Sequence, residues 1–251
     1  MNAMEPPTTR AEADEYRSGA YFREPDRHSA DAEYKARMFV SLLRRNPGCA
    51  DIRTVADVGC GSGAATIAVV AGMDELGFEV AEAVGYDISP HVASLRHPRV
   101  RFVHEDFVAS GRGYDLVTLF DVVEHVPDPI EFLRLLSQRT RFVGLHLPLD
   151  DSLNCAARDL FRSSLKDPGH LLALDTASAL NLLAFAGLRV VDYEYVLGFR
   201  APSAAVTVRS ASIYPLRAVL AAVSPWLLAK TLGGVSLMVL CRTAPPPGGR
   251  R

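Results

Sequence analysis

The stretch VADVGCGSG, from Val55 to Gly63, places three glycines at alternate positions directly behind a short apolar run. Glycine has no Cβ, so it adopts positive φ angles and allows another backbone or a ligand to approach closely. An apolar run, a glycine turn and an alanine-rich segment in succession predict a strand, a tight loop and a helix. Backbone N–H groups at the start of such a helix bind polar groups of nucleotide-like ligands. The same turn also occurs as a plain strand-to-helix connection, so residues elsewhere must identify the ligand.

Outside this stretch, strand patterns alternate with helix patterns along the chain. Strands are predicted at Thr54–Val58, Ala83–Asp87, Arg99–Phe107, Leu116–Phe120, Arg141–Leu147, Arg189–Val196 and Val235–Arg242. Helices are predicted at Ala32–Arg45, Ala64–Leu76, from Ser89 onward, Ile130–Ser137 and Ala177–Ala186. Alternating strands and helices require crossover connections, which predicts an α/β fold: a Rossmann-like, mainly parallel seven-stranded sheet with helices on both faces.

The chain length and patterning predict one domain. We expect residues 31–243 to form it, with a mobile tail at 1–30 and a disordered tail at 244–251. Residues 198–234 separate the last two strands and carry an apolar stripe at helical spacing that includes Tyr214, Leu220 and Trp226. This segment is predicted to be a helical insertion or lid that shapes access to a site, or a helix that covers the sheet or forms a homodimer contact.

Composition excludes several classes of protein. The net charge of −2 argues against a nucleic-acid partner, which requires a basic surplus. The four cysteines show neither disulfide-framework nor metal-finger spacing, and the polar N-terminus has no signal-peptide core, so a cytoplasmic location is expected. The most apolar late segment is interrupted by prolines and basic residues, which predicts no membrane span.

Two acidic residues stand at the ends of predicted strands, at the edge of the sheet where ligands are expected to bind. Asp87 ends the second strand, where a carboxylate can accept hydrogen bonds from both hydroxyls of a ribose. Asp106 ends the third, where it can accept a hydrogen bond from the exocyclic amine of adenine while Phe107 offers an apolar face.

The motifs DVGCGSG (57–63), VGYDIS (84–89), HEDF (104–107) and YDLVTLFDVVEHVPDP (114–129) together resemble those of class I S-adenosylmethionine-dependent methyltransferases, especially the quinone-biosynthesis group. The resemblance spans 54–196, and residues 235–242 match the family's final antiparallel strand. A dinucleotide site is the alternative for the glycine turn, but it leaves Asp106 and the DVVEHVPDP run unexplained.

The resemblance implies S-adenosylmethionine as the cofactor and methyl transfer to a small or medium organic acceptor. It assigns the methionine part of the cofactor to Asp57 and the three glycines, the ribose to Asp87, and the adenine to Asp106 with Phe107. The full predicted cofactor set is Asp57, Gly59, Cys60, Gly61, Gly63, Asp87, Ile88, Asp106, Phe107, Phe120 and Asp121.

Methyl transfer to a hydroxyl also requires a group that removes the proton. His146, at the end of the fifth strand, and His125, just beyond the fourth, are candidate catalytic residues together with Glu124. They favour O-methylation, with N-methylation as the second choice. RNA 2′-O-methylation and a non-methylating use of the cofactor remain alternatives, and residues 148–171 are predicted to contact the acceptor.

The run DVVEH raises the possibility of a divalent metal. Asp121, Glu124 and His125 stand at spacing i, i+3, i+4, which one helical turn would bring together, and the run resembles the metal-binding E-x-x-E-H motif of ubiquinone-pathway O-methyltransferases and small-RNA 2′-O-methyltransferases. By that resemblance His170 is the natural fourth ligand. Many relatives with a similar D-x-x-E-H need no metal, and the metal-free arrangement is favoured.

Overall fold

The structure is a computed structural model that describes residues 30–166, 169–204 and 208–244. The predicted tails lie outside these residues, except for residues 30 and 244. One seven-stranded sheet has the strand order β3-β2-β1-β4-β5-β7-β6. β7 pairs antiparallel with β5 and β6, and the remaining pairs are parallel, which confirms the predicted fold class. The strands are β1 (Thr54–Val58), β2 (Glu82–Asp87), β3 (Arg101–His104), β4 (Tyr114–Phe120), β5 (Thr140–Pro148), β6 (Leu188–Leu197) and β7 (Val235–Thr243).

Helices cover both faces of the sheet. They are α1 (Ala32–Arg45), α2 (Ala64–Glu75), α3 (Phe107–Ser110), α4 (Pro129–Ser137), α5 (Leu153–Ala157), α6 (Phe161–Lys166), α7 (Thr176–Phe185), α8 (Val208–Val223) and α9 (Pro225–Thr231). One apolar cluster joins α1 and α2 to the sheet through residues such as Leu42 and Met73. The cluster on the other face includes Leu133, Leu183 and Leu228, from α4, α7 and α9.

The packing of α1 positions part of the site. Phe39 is fully buried against Gly144 of β5, where an added Cβ would lie 2.3 Å from the Phe39 ring. A glycine at this strand position therefore allows the helix to approach the sheet closely. Lys35 lies one turn before Phe39 on the same helical face, which directs its side chain toward the strand ends.

Two predicted elements are shorter than expected. The helix predicted from Ser89 onward is only a 3₁₀ turn at Pro90–Ser94, although Ser89 does cap it by accepting a hydrogen bond from His91 N. Its extension is opposed by Pro98, because a residue before proline avoids helical angles. The predicted third strand ends at His104 rather than Phe107, because Asp106 already caps the short helix α3.

The connection between β6 and β7 is helical, as predicted. Ser224 caps α9 by accepting a hydrogen bond from Leu227 N at 3.2 Å. Lys230 of α9 forms an ion pair with Asp175, the N-cap of α7, which attaches the insertion to the body of the domain. Several apolar side chains of α8 and α9 remain exposed, among them Tyr214, Leu216, Val219, Val223 and Trp226. None of the described helices is both long and apolar enough to cross a membrane.

Candidate active site

The glycine loop follows β1 and opens α2. Gly59, Gly61 and Gly63 have φ angles of 75°, 51° and 76°. A Cβ at Gly59 would lie 2.6 Å from Val122 Cγ2, and a Cβ at Gly63 would lie 2.5 Å from the Phe102 ring. Backbone conformation and close packing within the protein therefore already require glycine at these two positions, before any ligand is considered.

Asp87 holds the glycine loop against the end of β2. Its Oδ2 accepts a hydrogen bond from Gly61 N at 2.8 Å, and its Oδ1 accepts one from Ser89 N at 2.8 Å. Burial raises the pKa of this carboxyl above its ordinary value, and the two backbone hydrogen bonds oppose that rise. A carboxylate oxygen has two lone pairs, so each oxygen retains acceptor capacity for a ribose hydroxyl.

Asp57 is buried beneath the loop. Thr66 and Thr118 donate hydroxyl hydrogen bonds to its two oxygens, the latter at 2.7 Å. Burial raises the pKa of Asp57 to about 6, despite the two hydroxyl donors. Cys60 is also buried, and its thiol faces Gly85 of β2. Both side chains thus support the loop from below, and their predicted contacts with the cofactor remain predictions.

The residues predicted to hold adenine occupy different environments. Asp106 is exposed and accepts a hydrogen bond from Val108 N at 2.8 Å, while Ile88 beside it is 44% exposed. Phe107 is buried, with its ring 5.3 Å from Tyr86 and 6.1 Å from Tyr114 between centroids. The expected apolar face for adenine is therefore not offered by Phe107 in this structure, because its ring completes the aromatic core.

Asp121 and His146 meet at the ends of neighbouring strands. Phe120 and His146 are register partners of β4 and β5, and Asp121 N donates a hydrogen bond to His146 O at 3.2 Å. Asp121 has a φ of 56°, an angle that aspartate tolerates better than most residues. Its Oδ1 lies 2.6 Å from His146 Nδ1, and its Oδ2 accepts a hydrogen bond from Lys35. Burial acts to raise the pKa of Asp121, but the His146 ring and the Lys35 ammonium together hold that pKa well below its ordinary value.

His146 also lines a cleft. This cleft of about 190 Å³ lies between α1, the ends of β4 and β5, and the turn after β6; Tyr34, Lys35, Asp121, His146 and Gly198 are among its lining residues. His146 is 4% exposed, and among the described residues its Nε2 has no hydrogen-bond partner. Because the Asp121 carboxylate accepts from Nδ1–H, the neutral ring has its lone pair on Nε2, as a proton acceptor requires.

A second cluster unites three of the four candidate metal ligands. One ligand atom each of Glu124, His125 and His170 lies within 4.8 Å of the others. Asp121, the fourth candidate, does not belong to this cluster in the structure. The reason is the backbone: the helical turn is a 3₁₀ turn at Val123–His125, and Asp121 precedes it with a positive φ that directs the carboxylate to His146.

Glu124 contributes the one carboxyl of this three-residue cluster. It is 1% exposed, and neither of its oxygens has a hydrogen-bond partner among the described residues. Burial, and then the charge of Asp121, raise the pKa of Glu124 well above its ordinary value. Glu124 and His125 are absent from the lining of the cleft that His146 faces. His146 alone of the three candidate catalytic residues therefore lines that cleft.

Two contributing residues lie outside the predicted sets of catalytic, cofactor and metal residues. Lys35 reaches Asp121 across 86 positions of sequence, which no local pattern indicates. Asp150 follows β5 and accepts a hydrogen bond from His170 Nδ1 at 2.5 Å. It belongs to the stretch predicted to contact the acceptor, but its partner could not be inferred from spacing.

The methyltransferase-domain family matches residues 14–193 of the chain, and the chain belongs to this family. The predicted class, a class I S-adenosylmethionine-dependent methyltransferase, is thereby confirmed, while the quinone-biosynthesis group within it remains a prediction. No curated protein sequence matches the chain.

Solved structures share the fold at low sequence identity. The magnesium protoporphyrin IX methyltransferase of Synechocystis PCC 6803 with bound S-adenosylhomocysteine is 14% identical, with a TM-score of 0.57 over 94% of this chain and 99% of that chain. An S-adenosylmethionine-dependent methyltransferase of Archaeoglobus fulgidus is 20% identical, with a TM-score of 0.50 over 83% and 94%. The plantazolicin methyltransferase BpumL is 16% identical, with a TM-score of 0.50 over 94% and 97%.

Proposed function

We propose that the protein transfers the methyl group of S-adenosylmethionine to a hydroxyl of a small or medium organic acceptor, with His146 as the general base. The observation that carries this proposal is the difference between the surroundings of the two ring nitrogens of His146. Nδ1 donates to Asp121 at 2.6 Å, whereas the buried Nε2 has no hydrogen-bond partner among the described residues, and the His146 side chain belongs to the lining of the cleft.

The cofactor assignment is supported by the family and by the strand ends. We infer that Asp87 accepts the ribose hydroxyls, that Ile88 and Asp106 flank the adenine, and that the glycine loop lies along the methionine part. Exposure of Ile88 and Asp106 fits this placement, because both side chains can be reached by a ligand at the edge of the sheet. The Synechocystis and plantazolicin enzymes, which share the fold, contain bound S-adenosylhomocysteine, and this supports the same cofactor class.

Methyl transfer from a sulfonium is an in-line displacement, in which alignment contributes much of the rate. In the proposed reaction the acceptor oxygen forms a bond to the methyl carbon while the carbon–sulfur bond breaks. The hydroxyl proton moves to His146 Nε2 and later to solvent, and S-adenosylhomocysteine leaves. Asp121 stabilises the positively charged ring that forms, as a carboxylate beside a catalytic histidine does.

The shape of the cleft suggests the class of acceptor. Polar groups from Tyr34, Lys35 and Asp121 line it. Phe199, which follows the lining residue Gly198, packs with its ring centroid 5.3 Å from that of Tyr214, an exposed side chain of α8. We infer an acceptor with one hydroxyl that enters the cleft and an apolar body that contacts α8. If these side chains instead form a homodimer contact, light scattering will give twice the monomer mass, and Val219→Asp will restore the monomer.

The test combines product analysis with one substitution. The protein is incubated with S-adenosylmethionine and a panel of aromatic and aliphatic alcohols, and the nucleoside product is identified by mass spectrometry. S-adenosylhomocysteine and a product heavier by one methyl group are expected, whereas methylthioadenosine would contradict methyl transfer. His146→Gln should lower kcat by about 10²–10⁴-fold. S-adenosylhomocysteine affinity, measured by calorimetry, should not change, and His97→Gln is the matched control. Full activity of His146→Gln would overturn the assignment of the base.

A further inference from the structure

We propose that the outward face of the helical insertion binds the surface of a lipid bilayer with anionic headgroups. This outward face consists of the exposed large apolar side chains of α8 and α9: Tyr214, Leu216, Val219, Val223, Trp226 and Leu227. The proposed contact is at the surface of the bilayer and does not require a helix that crosses it.

Exposed apolar side chains are concentrated on the outward face. Of the eleven large apolar side chains that are exposed in the described part of the chain, six belong to residues 214–227. Val223 is 75% exposed and Val219 is 60% exposed. Among residues 211–227, all of which the structure describes, no exposed side chain is charged. Single exposed apolar residues are ordinary on a protein surface, whereas a continuous apolar face marks a contact with another surface.

The inner face of the insertion is already packed against the domain. Ala221 and Leu228 belong to the apolar cluster on this side of the sheet, Leu220 packs against it, and Leu228 has no exposed surface. The helices cannot bury their outward face by rotation, because rotation would expose these inner side chains to water instead. The outward face therefore needs a partner outside the domain.

The charge of the insertion favours an anionic partner. Residues 198–234 contain four basic residues and no acidic residue, although the whole chain has a net charge of −2. The basic residues are Arg200, Arg209, Arg217 and Lys230. Arg200 is exposed, whereas Lys230 forms an ion pair with Asp175. Basic residues beside an apolar helix face are typical of segments that lie on anionic membranes, where each nearby cation adds to the affinity.

Two aromatic residues of the outward face suit the boundary between headgroups and acyl chains. Trp226 is 50% exposed and Tyr214 is 47% exposed. Each has an apolar ring and one polar N–H or O–H group, and such rings are enriched at membrane–water interfaces. They would lie with the ring toward the acyl chains and the polar group toward the headgroups.

A second copy of the chain fits the outward face less well. A symmetric contact would bring two insertions together, and neither contains an acidic residue that could pair with the basic residues of the other. The six apolar side chains expose roughly 500 Å² in total, whereas a stable protein interface buries about 800 Å² on each partner. A bilayer requires neither a matched surface nor paired charges from the protein.

The outward face lies next to the cleft that His146 lines. The Tyr214 ring is 5.3 Å from the Phe199 ring between centroids, and Phe199 stands between the cleft-lining residues Gly198 and Ala201. An acceptor with an apolar body would thus reach the cleft from the bilayer without crossing water. This consequence rests on the proposed function, whereas binding to the bilayer does not.

Vesicle binding is measured on the whole chain without cofactor or acceptor, so a failure of the proposed methyl transfer would not affect the result. Sedimentation compares vesicles of phosphatidylcholine alone with vesicles of phosphatidylcholine and phosphatidylglycerol in equal amounts. We expect binding to the mixed vesicles to be tighter by about tenfold or more, and to weaken at high salt. Equal binding to both kinds of vesicle, or no binding to mixed vesicles at millimolar lipid, would overturn the proposal.

The tryptophan reports whether the outward face makes the contact. Trp226 is the only tryptophan of the chain, so the emission comes from one position on this face. With mixed vesicles the emission should shift to shorter wavelength, and lipids with brominated acyl chains should quench it. Unchanged emission from vesicle-bound protein would place the contact elsewhere and would contradict the assignment of this face.

Substitutions on and off the outward face complete the test. Val219→Asp and Val223→Asp each place a negative charge on the face and should weaken binding to mixed vesicles by about tenfold or more. The matched control is Phe185→Asp, because Phe185 is 71% exposed on α7, before the start of β6, and this variant should bind as the wild type does. Retention of wild-type affinity by both valine variants would overturn the proposal. Thermal unfolding confirms that the variants are folded.

Light scattering without lipid distinguishes the bilayer from a second copy. We expect the mass of one chain. Twice that mass, reduced to one chain by Val219→Asp, would assign the outward face to a second copy and overturn the proposal.

Discussion

Oδ1 of Asp121 lies 2.6 Å from His146 Nδ1, and Oδ2 of the same carboxylate accepts a hydrogen bond from the Lys35 ammonium. One carboxylate thus joins a side chain of helix α1 to the end of strand β5. The ion pair with Lys35 restricts Asp121, and Asp121 in turn restricts the His146 ring. The orientation of the His146 ring therefore depends on three distant parts of the chain.

Replacement of Asp121 by asparagine tests this orientation. Asparagine tolerates the φ of 56° that Asp121 adopts, so the backbone should be retained. The amide cannot hold the imidazolium as a carboxylate does, and it permits the wrong tautomer. We expect kcat of Asp121→Asn to fall by about 10²-fold or more, by analogy with general-base catalysis by positioned histidines. Steady-state kinetics will measure kcat, and calorimetry will measure the affinity for S-adenosylhomocysteine. A proportional loss of cofactor affinity would instead place Asp121 against the cofactor.

Removal of the Lys35 charge should reduce stability in a pH-dependent way. The pKa of Asp121 lies below its ordinary value in the folded protein, so its ion pair with Lys35 stabilises the fold above about pH 4, and this stabilisation is lost as the pH falls. We expect Lys35→Met to lower the free energy of unfolding by about 1–3 kcal/mol at neutral pH. The difference from the wild type should narrow in acid. Denaturant unfolding at neutral pH and in acid will measure the difference in free energy of unfolding. The control is Arg53→Met, which breaks an exposed ion pair with Glu79. A difference that is independent of pH would argue against the pair.

Asp57 has the opposite pH dependence. Burial raises its pKa from 3.8 to about 6 in the folded protein, so folding favours the protonated form. The wild type should therefore lose stability relative to Asp57→Asn as the pH rises from about 4 to about 7, by roughly 2–3 kcal/mol. Asparagine can still accept a hydroxyl hydrogen bond from Thr118. Parallel denaturation series across this pH range will measure the difference, and a constant difference would show that the carboxyl is not perturbed.

A comparison of Gly63 with Gly77 separates two contributions to the free energy of unfolding, one from close packing and one from a positive φ angle. Gly63 and Gly77 both have positive φ, at 76° and 83°, but an added Cβ meets the Phe102 ring at 2.5 Å only at Gly63, and nothing within 4 Å at Gly77. We expect Gly77→Ala to cost about 1 kcal/mol of unfolding free energy. Gly63→Ala should cost about 1–3 kcal/mol more, because the aromatic ring must move. Equal losses in thermal or denaturant unfolding would contradict the packing explanation.

The sequence predicted the sheet and the edge of the sheet at which the candidate residues lie, because both depend on local patterns. Thr54–Val58 and Ala32–Arg45 have the predicted bounds, and parallel strands bring residues that follow them to one edge. The position of Asp87 at that edge follows from its place as the last residue of β2. The spacing of apolar residues along the chain indicates the strands and helices, and no tertiary contact has to be known for this prediction.

The interior of the site could not be predicted in the same way. The spacing of Asp121, Glu124 and His125 indicated one helical turn, but a single positive φ at Asp121 separates it from the other two. Phe107 follows an acidic residue at a strand end, and its apolar side chain could face a ligand or the core; the neighbouring Tyr86 and Tyr114 rings decide for the core. Contacts such as Lys35–Asp121 depend on how α1 lies on the sheet, which only the folded chain determines.

The ion pair between Lys230 and Asp175 should determine how firmly the helical insertion is attached. Asp175 also caps α7, with Ser178 completing a reciprocal capping box. The hydrogen bond from Lys230 and the backbone of Ser178 lower the pKa of Asp175 to about 2, so its contribution is present above about pH 4 and is lost as the pH falls toward that value. Asp175→Ala should lower the free energy of unfolding by about 1 kcal/mol, chiefly through the lost cap.

Lys230→Met should lower the free energy of unfolding by less than about 1 kcal/mol, because the lysine side chain is partly exposed. Lys230→Met should also increase hydrogen exchange in α9 while exchange in α7 stays unchanged. If hydrogen exchange in α9 is also unchanged by Lys230→Met, the insertion is held by its apolar contacts and not by the ion pair.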